Sequence, residues 1–199
     1  SGIYSPCCMV WSDDKNSIYL ASSGSGENGK VSIIAKDGSS SSVLASGLGP
    51  VFGVVKNSVG NIYATRYEPR SNDSTGVWEI LPDGTFSNYA NIFGAHDISV
   101  LDDVLYVGSM TENQVYSVKS KLNVKVIASG IAAVHGVAFD QDGILWIAGH
   151  GSDSVYKLVL SVTPASPENV TVIPYDPTNS GSPTDITISW NPVNHFDTY

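Results

Sequence analysis

The sequence predicts an all-β protein assembled from β-propeller blades, each a sheet of four antiparallel strands. Three observations predict it: a repeat of about forty residues, Asp-Gly-type turn pairs between short apolar runs, and no segment that sustains an amphipathic 3.6-residue period with capping signals. The repeat is anchored by Ile18-Tyr19-Leu20-Ala21, Ile62-Tyr63-Ala64-Thr65, Leu105-Tyr106-Val107-Gly108 and Leu145-Trp146-Ile147-Ala148, whose aromatic residues are spaced by 44, 43 and 40. A second set, Lys30-Val31-Ser32-Ile33, Val77-Trp78-Glu79-Ile80, Val115-Tyr116-Ser117-Val118 and Val155-Tyr156-Lys157-Leu158, follows the first after a polar loop each time.

Each unit therefore reads as strands a to d. Strand a is an apolar run such as Val54-Val55 or Val137-Ala138-Phe139, and the two anchored sets supply b and c. Strand d is a run such as Ser42-Val43-Leu44-Ala45 or Val124-Lys125-Val126-Ile127. Asp37-Gly38, Gly60-Asn61, Asp83-Gly84 and Asp142-Gly143 separate strands with residues that tolerate positive φ, as tight hairpins require. Four blades are countable, at 7–51, 52–95, 96–134 and 135–162. The opening Ser1-Gly2-Ile3 matches the d-to-a corners Ser46-Gly47-Leu48 and Ser129-Gly130-Ile131, so the expectation is a fragment of a larger propeller with blades before Ser1.

Composition narrows the partners. A formal charge of −9 argues against nucleic acid and anionic membrane surfaces. No run approaches the roughly 18 apolar residues of a membrane-spanning helix, so no membrane insertion is expected in this segment. Cys7 and Cys8 are the two cysteines and are adjacent, which leaves no disulfide framework.

The stretch Gly136-Val137-Ala138-Phe139-Asp140-Gln141-Asp142-Gly143-Ile144-Leu145-Trp146-Ile147-Ala148-Gly149, followed by Ser154-Val155-Tyr156-Lys157-Leu158, resembles the blades of NHL-repeat propellers and of the related streptogramin lyase and gluconolactonase-like families. The resemblance extends along about residues 1–162. It is specific for architecture and poor for activity, because propellers host many functions. After it, residues 163–168 read as a Pro-rich linker. Residues 169–199 resemble the start of a fibronectin type III, Ig-like sandwich: Val170-Thr171-Val172 would be strand A, Ile186 to Trp190 strand B, and Phe196 to Tyr199 the approach to strand C. The competing reading makes Val170 to Ile173 the outer strand of blade four.

Alternation of strand direction puts the d-to-a and b-to-c connections on one face and the short turns on the other. The first face carries the longer loops, and Glu27, Tyr67, Glu68, Asp97, Glu112 and Asp153 are its candidate partner-binding residues. Cys7, Phe52, His96 and His135 fall at one position, just before the innermost strand of successive blades. His96 and His135 are candidate metal ligands with Cys7 as a third, and His150 at the end of strand b is a candidate catalytic acid or base. Ala95-His96-Asp97-Ile98 and Val134-His135-Gly136-Val137 resemble the corners that carry zinc-binding histidines in peptidylglycine-lyase propellers. Neither histidine follows Pro, however, and Phe52 fills one corner. Against the metal reading stands a structural one, in which each histidine hydrogen-bonds a neighbouring carbonyl.

Two functions remain. One is an extracellular or cell-surface module that recognises a protein or glycan through its loop face, with no cofactor. The other is a lyase or lactonase-like hydrolase with a divalent metal such as zinc at the channel mouth.

Overall fold

The computed structural model describes residues 3–24, 28–67 and 75–160, together with the backbone of two strands at 168–172 and 188–191. The chain divides into two units, Ser1–Leu160 and Ser161–Tyr199.

The first unit consists of four blades. Blade 1 contains β1 (Pro6–Trp11), β2 (Ser17–Ser22), β3 (Lys30–Ala35) and β4 (Ser41–Ser46). Blade 2 contains β5 (Val51–Lys56), β6 (Ile62–Arg66), β7 (Gly76–Ile80) and β8 (Phe86–Ala90). Blade 3 contains β9 (Ala95–Leu101), β10 (Val104–Ser109), β11 (Gln114–Ser120) and β12 (Asn123–Ser129). In blade 4 the described strands are β13 (Val134–Phe139), β14 (Leu145–Gly149) and β15 (Ser154–Leu158). Every sheet is an antiparallel meander in chain order. The inner strands β1, β5, β9 and β13 pack one against the next.

Three apolar layers glue neighbouring blades. Ala21, Val31 and Leu48 meet Val51, Val54 and Ile80 between blades 1 and 2. Val55, Tyr63 and Val77 meet Ile98, Leu105 and Val107 between blades 2 and 3. Tyr106 and Val115 meet Val134, Val137, Leu145 and Ile147 between blades 3 and 4. Strands of inner blades are consequently buried on both sides, as in Ile62-Tyr63-Ala64-Thr65. The end blades alternate instead: Leu145 and Ile147 are buried while Trp146 between them is 41% exposed, and Met9 and Trp11 face outward from β1.

The turn face is tied by side chains. Lys56 pairs with Asp13 across blades 1 and 2, and the Ser58 hydroxyl and N–H both donate to the Asp103 carboxylate across blades 2 and 3. Gly84 turns at φ +83°, and a Cβ there would lie 2.2 Å from the Leu44 carbonyl oxygen of the neighbouring blade, so both conformation and packing require glycine.

In the second unit β16 (Glu168–Val172) pairs antiparallel with β17 (Ile188–Asn191), with Thr171 opposite Ser189. The residues expected as strands A and B overlap this pair. The approach to strand C, at Phe196 to Tyr199, lies outside the described residues.

Candidate functional site

One backbone irregularity builds the mouth, and it recurs in every blade. The a-to-b pairing slips near the start of each inner strand: Pro6 pairs with Ser22 and Cys8 with Ala21, omitting Cys7. Ala95 pairs with Ser109 and Asp97 with Gly108, omitting His96. Val134 pairs with Gly149 and Gly136 with Ala148, omitting His135. In blade 2 the slip between Val51 and Val54 spans Phe52 and Gly53. A β-bulge bends its strand and re-aims the extra side chain. Here Cys7, Phe52, His96 and His135 line one cavity of about 410 Å³, together with Cys8, Asp97 and Gly136.

Thr65 holds the bulge of blade 2 and links it to blade 3. Its buried hydroxyl oxygen accepts from the Gly53 N–H at 2.8 Å and its proton goes to the His96 carbonyl at 2.5 Å. Asp97 performs the next link, accepting from the Val137 N–H at 2.9 Å. The Cys8 thiol lies beside that carboxylate, and burial pushes both groups upward in pKa. Gly53 is needed for close approach, since a Cβ there would lie 2.8 Å from Ile98 Cγ2 and 2.9 Å from Thr65 Oγ1.

The rings form a continuous row. Phe52 and His96 are 4.4 Å apart between centroids, His96 and His135 4.0 Å, and His135 and His150 5.5 Å, with interplanar angles of 34°, 42° and 33°. Tyr67 meets Phe52 and His96 edge-on, 5.6 Å from each. Nδ1 of buried His96 is 3.0 Å from the His135 carbonyl oxygen, and because a carbonyl only accepts, that nitrogen carries the proton. Burial first, and the neighbouring His135 second, lower the His96 pKa to about 4, so the ring is neutral at pH 7 with Nε2 as an acceptor.

His150 directly follows β14 and opens a short 3-10 turn, His150–Ser152. It borders a second, more open cavity of about 280 Å³ with Asp153, Ser154, Val155, Ala148 and Gly149, and His135 lines this one too. Asp153 sits there in a left-handed conformation, φ 47° and ψ 40°.

The candidate residues thus separate. Cys7, His96, Asp97 and His135 share the first cavity, Tyr67 backs it, and His150 and Asp153 share the second. Cys7 is exposed, with its thiol 3.1 Å from the Ser5 carbonyl. Glu112 accepts from the Tyr116 hydroxyl at 2.7 Å. Glu27 and Glu68 lie outside the described residues. Among the described residues no group of three or more His, Cys, Asp and Glu is placed to hold a metal ion; the carbonyl contact of His96 engages Nδ1 and leaves Nε2 open, as in a structural or a ligating imidazole alike. Thr65 was not anticipated. Its signal is the fourth position of the strand-b tetrapeptides, where a hydroxyl stands in place of Ala21, Gly108 and Ala148.

No family model matches the sequence, and no curated protein matches it either. Solved structures do. A chain in a nidogen/laminin complex superposes with TM-score 0.66 at 16% identity, over 77% of this chain and 59% of that one. A putative gluconolactonase gives 0.64 at 14% identity, over 81% and 61%. An auxiliary nutrient binding protein from Bacteroides thetaiotaomicron gives 0.63 at 12% identity, over 96% and 53%. The chain spans a little over half the length of these structures. At such identities the likeness is one of fold, and together with the blade geometry it shows an all-β protein of four-stranded β-propeller blades.

Proposed function

We propose that this chain is an extracellular or surface-displayed binding module that engages a protein or glycan through the mouth of its propeller. One observation carries the reading: the inner strands of successive blades turn a bulged residue into a common cavity, and the resulting wall is a row of rings on a rigid scaffold. Rigid aromatic faces give contact area at small entropic cost. The chain from a nidogen/laminin complex and the Bacteroides nutrient binding protein support a binding role for such a scaffold. The Pro-rich segment 163–168 and a fibronectin type III-like start at 169–199 fit a string of extracellular modules.

The test is to probe a glycan array and a peptide array with the wild type and with the Phe52→Ala/His135→Ala double variant. The reading expects bound ligands to be lost in the variant; ligands retained at full strength contradict it.

The second reading, a metal-dependent lyase or lactone hydrolase with His96, His135 and Cys7 as ligands and His150 as acid or base, draws on the likeness to a putative gluconolactonase. It is the weaker one, since among the described residues no group of three or more His, Cys, Asp and Glu is placed to hold a metal ion. Zinc-stimulated lactone opening abolished by His150→Ala would favour it.

A further inference from the structure

We infer that the mouth is a two-part cradle for a neutral oligosaccharide, with the His135 ring dividing consecutive sugar residues. This rests on the mouth-binding reading above and narrows it to one ligand class. His135 is exposed and lines both cavities, the larger with Phe52, His96 and Asp97 and the smaller with His150 and Asp153. A linear ligand of two linked rings is thus offered two adjoining compartments with one shared wall, each near the lower end of the ~300–1,000 Å³ typical of small-molecule sites.

The two compartments are furnished alike. Each is lined by ring side chains, one Asp and small apolar surface, such as Gly136 in the first and Ala148 in the second. A pyranose matches that combination, because its C–H groups pack against ring and small apolar surface while its hydroxyls donate to a carboxylate. The polar wall is also rich in acceptors. His96 has spent its donor on the His135 carbonyl, which leaves Nε2, and Asp97 and Asp153 accept. A ligand made of O–H donors complements such a wall. An anionic ligand does not, since it would meet two carboxylates on a chain of formal charge −9. A cation would meet the same two carboxylates, and a cationic peptide is therefore one outcome of the test.

Calorimetric titration of the full chain with maltose, cellobiose, laminaribiose and N,N′-diacetylchitobiose, each beside its monosaccharide, tests this. At least one disaccharide should bind about 10-fold or more tightly than its monosaccharide. His135→Ala should abolish that advantage, and His150→Ala should weaken the disaccharide while sparing the monosaccharide. Circular dichroism checks that these exposed positions leave the fold intact. No heat with any disaccharide at millimolar concentration, equal affinity for one and two rings, or an advantage that survives His135→Ala overturns the inference. Hexalysine peptide that binds in their place, and is lost in the Phe52→Ala/His135→Ala variant, overturns the sugar assignment while the mouth-binding reading stands. Ligands of any class that bind undiminished to the double variant overturn both.

Discussion

Nδ1 of His96 donates to the carbonyl of His135, 3.0 Å away, so the third and fourth blades are joined at the mouth by a buried ring whose surroundings disfavour its charged form. The consequence is a pH-dependent stability. A histidine whose folded pKa is lowered to about 4 stabilises the fold fully above its unfolded value near 6.5, and that contribution is lost as pH falls toward 4. The loss should be on the order of 2–3 kcal/mol. Asp97, raised by burial, acts in the opposite sense because it prefers protonation in the folded state. The difference between wild type and His96→Gln, measured by urea unfolding from pH 7 to 4, isolates the histidine; parallel curves would contradict the assignment.

Thr65→Val should destabilise by about 1–3 kcal/mol, because the Gly53 N–H and the His96 carbonyl lose their buried partner together. Chemical denaturation measures it. A Thr65→Ser variant, which retains the hydroxyl, should recover most of the loss.

Gly53→Ala adds a methyl where Ile98 and Thr65 leave no room, and should cost about 1–3 kcal/mol. It should also displace the His96 and His135 resonances in an NMR spectrum, since Ile98 lies two residues beyond His96. Unmoved resonances with full stability would show that the mouth is looser than described.

The ion pair of Lys56 with Asp13 is a contrast, because the Asp13 side chain is 79% exposed. Asp13→Asn should change stability by less than about 1 kcal/mol, and addition of salt should erase what effect there is.

The blades were legible in the sequence because short apolar runs and Asp-Gly turns are local signals, and their spacing let Tyr19, Tyr63, Tyr106 and Trp146 be aligned directly. The same alignment placed Cys7, Phe52, His96 and His135 at one corner. What it did not reveal is the bulge that turns them inward, since a slipped pairing depends on two strands at once and on partners such as Thr65 that lie in another part of the chain. The carbonyl contact of His96 was open in the sequence as one alternative, but its acceptor, the His135 carbonyl one blade away, depends on how the blades stack. Glu112 reads in the sequence as a partner-binding loop residue, and the structure adds the Tyr116 hydroxyl of the following strand within hydrogen-bond distance of it.

The account turns on four bulged corners meeting at one mouth, and the imidazole of His96 reports on it most directly. Long-range nitrogen-proton NMR of the histidine rings should find His96 as the Nδ1–H tautomer at pH 7, titrating near pH 4, with proton-proton contacts from its ring to both Phe52 and His135. A His96 ring that titrates at the ordinary histidine value and shows no contact to either neighbour would contradict the account.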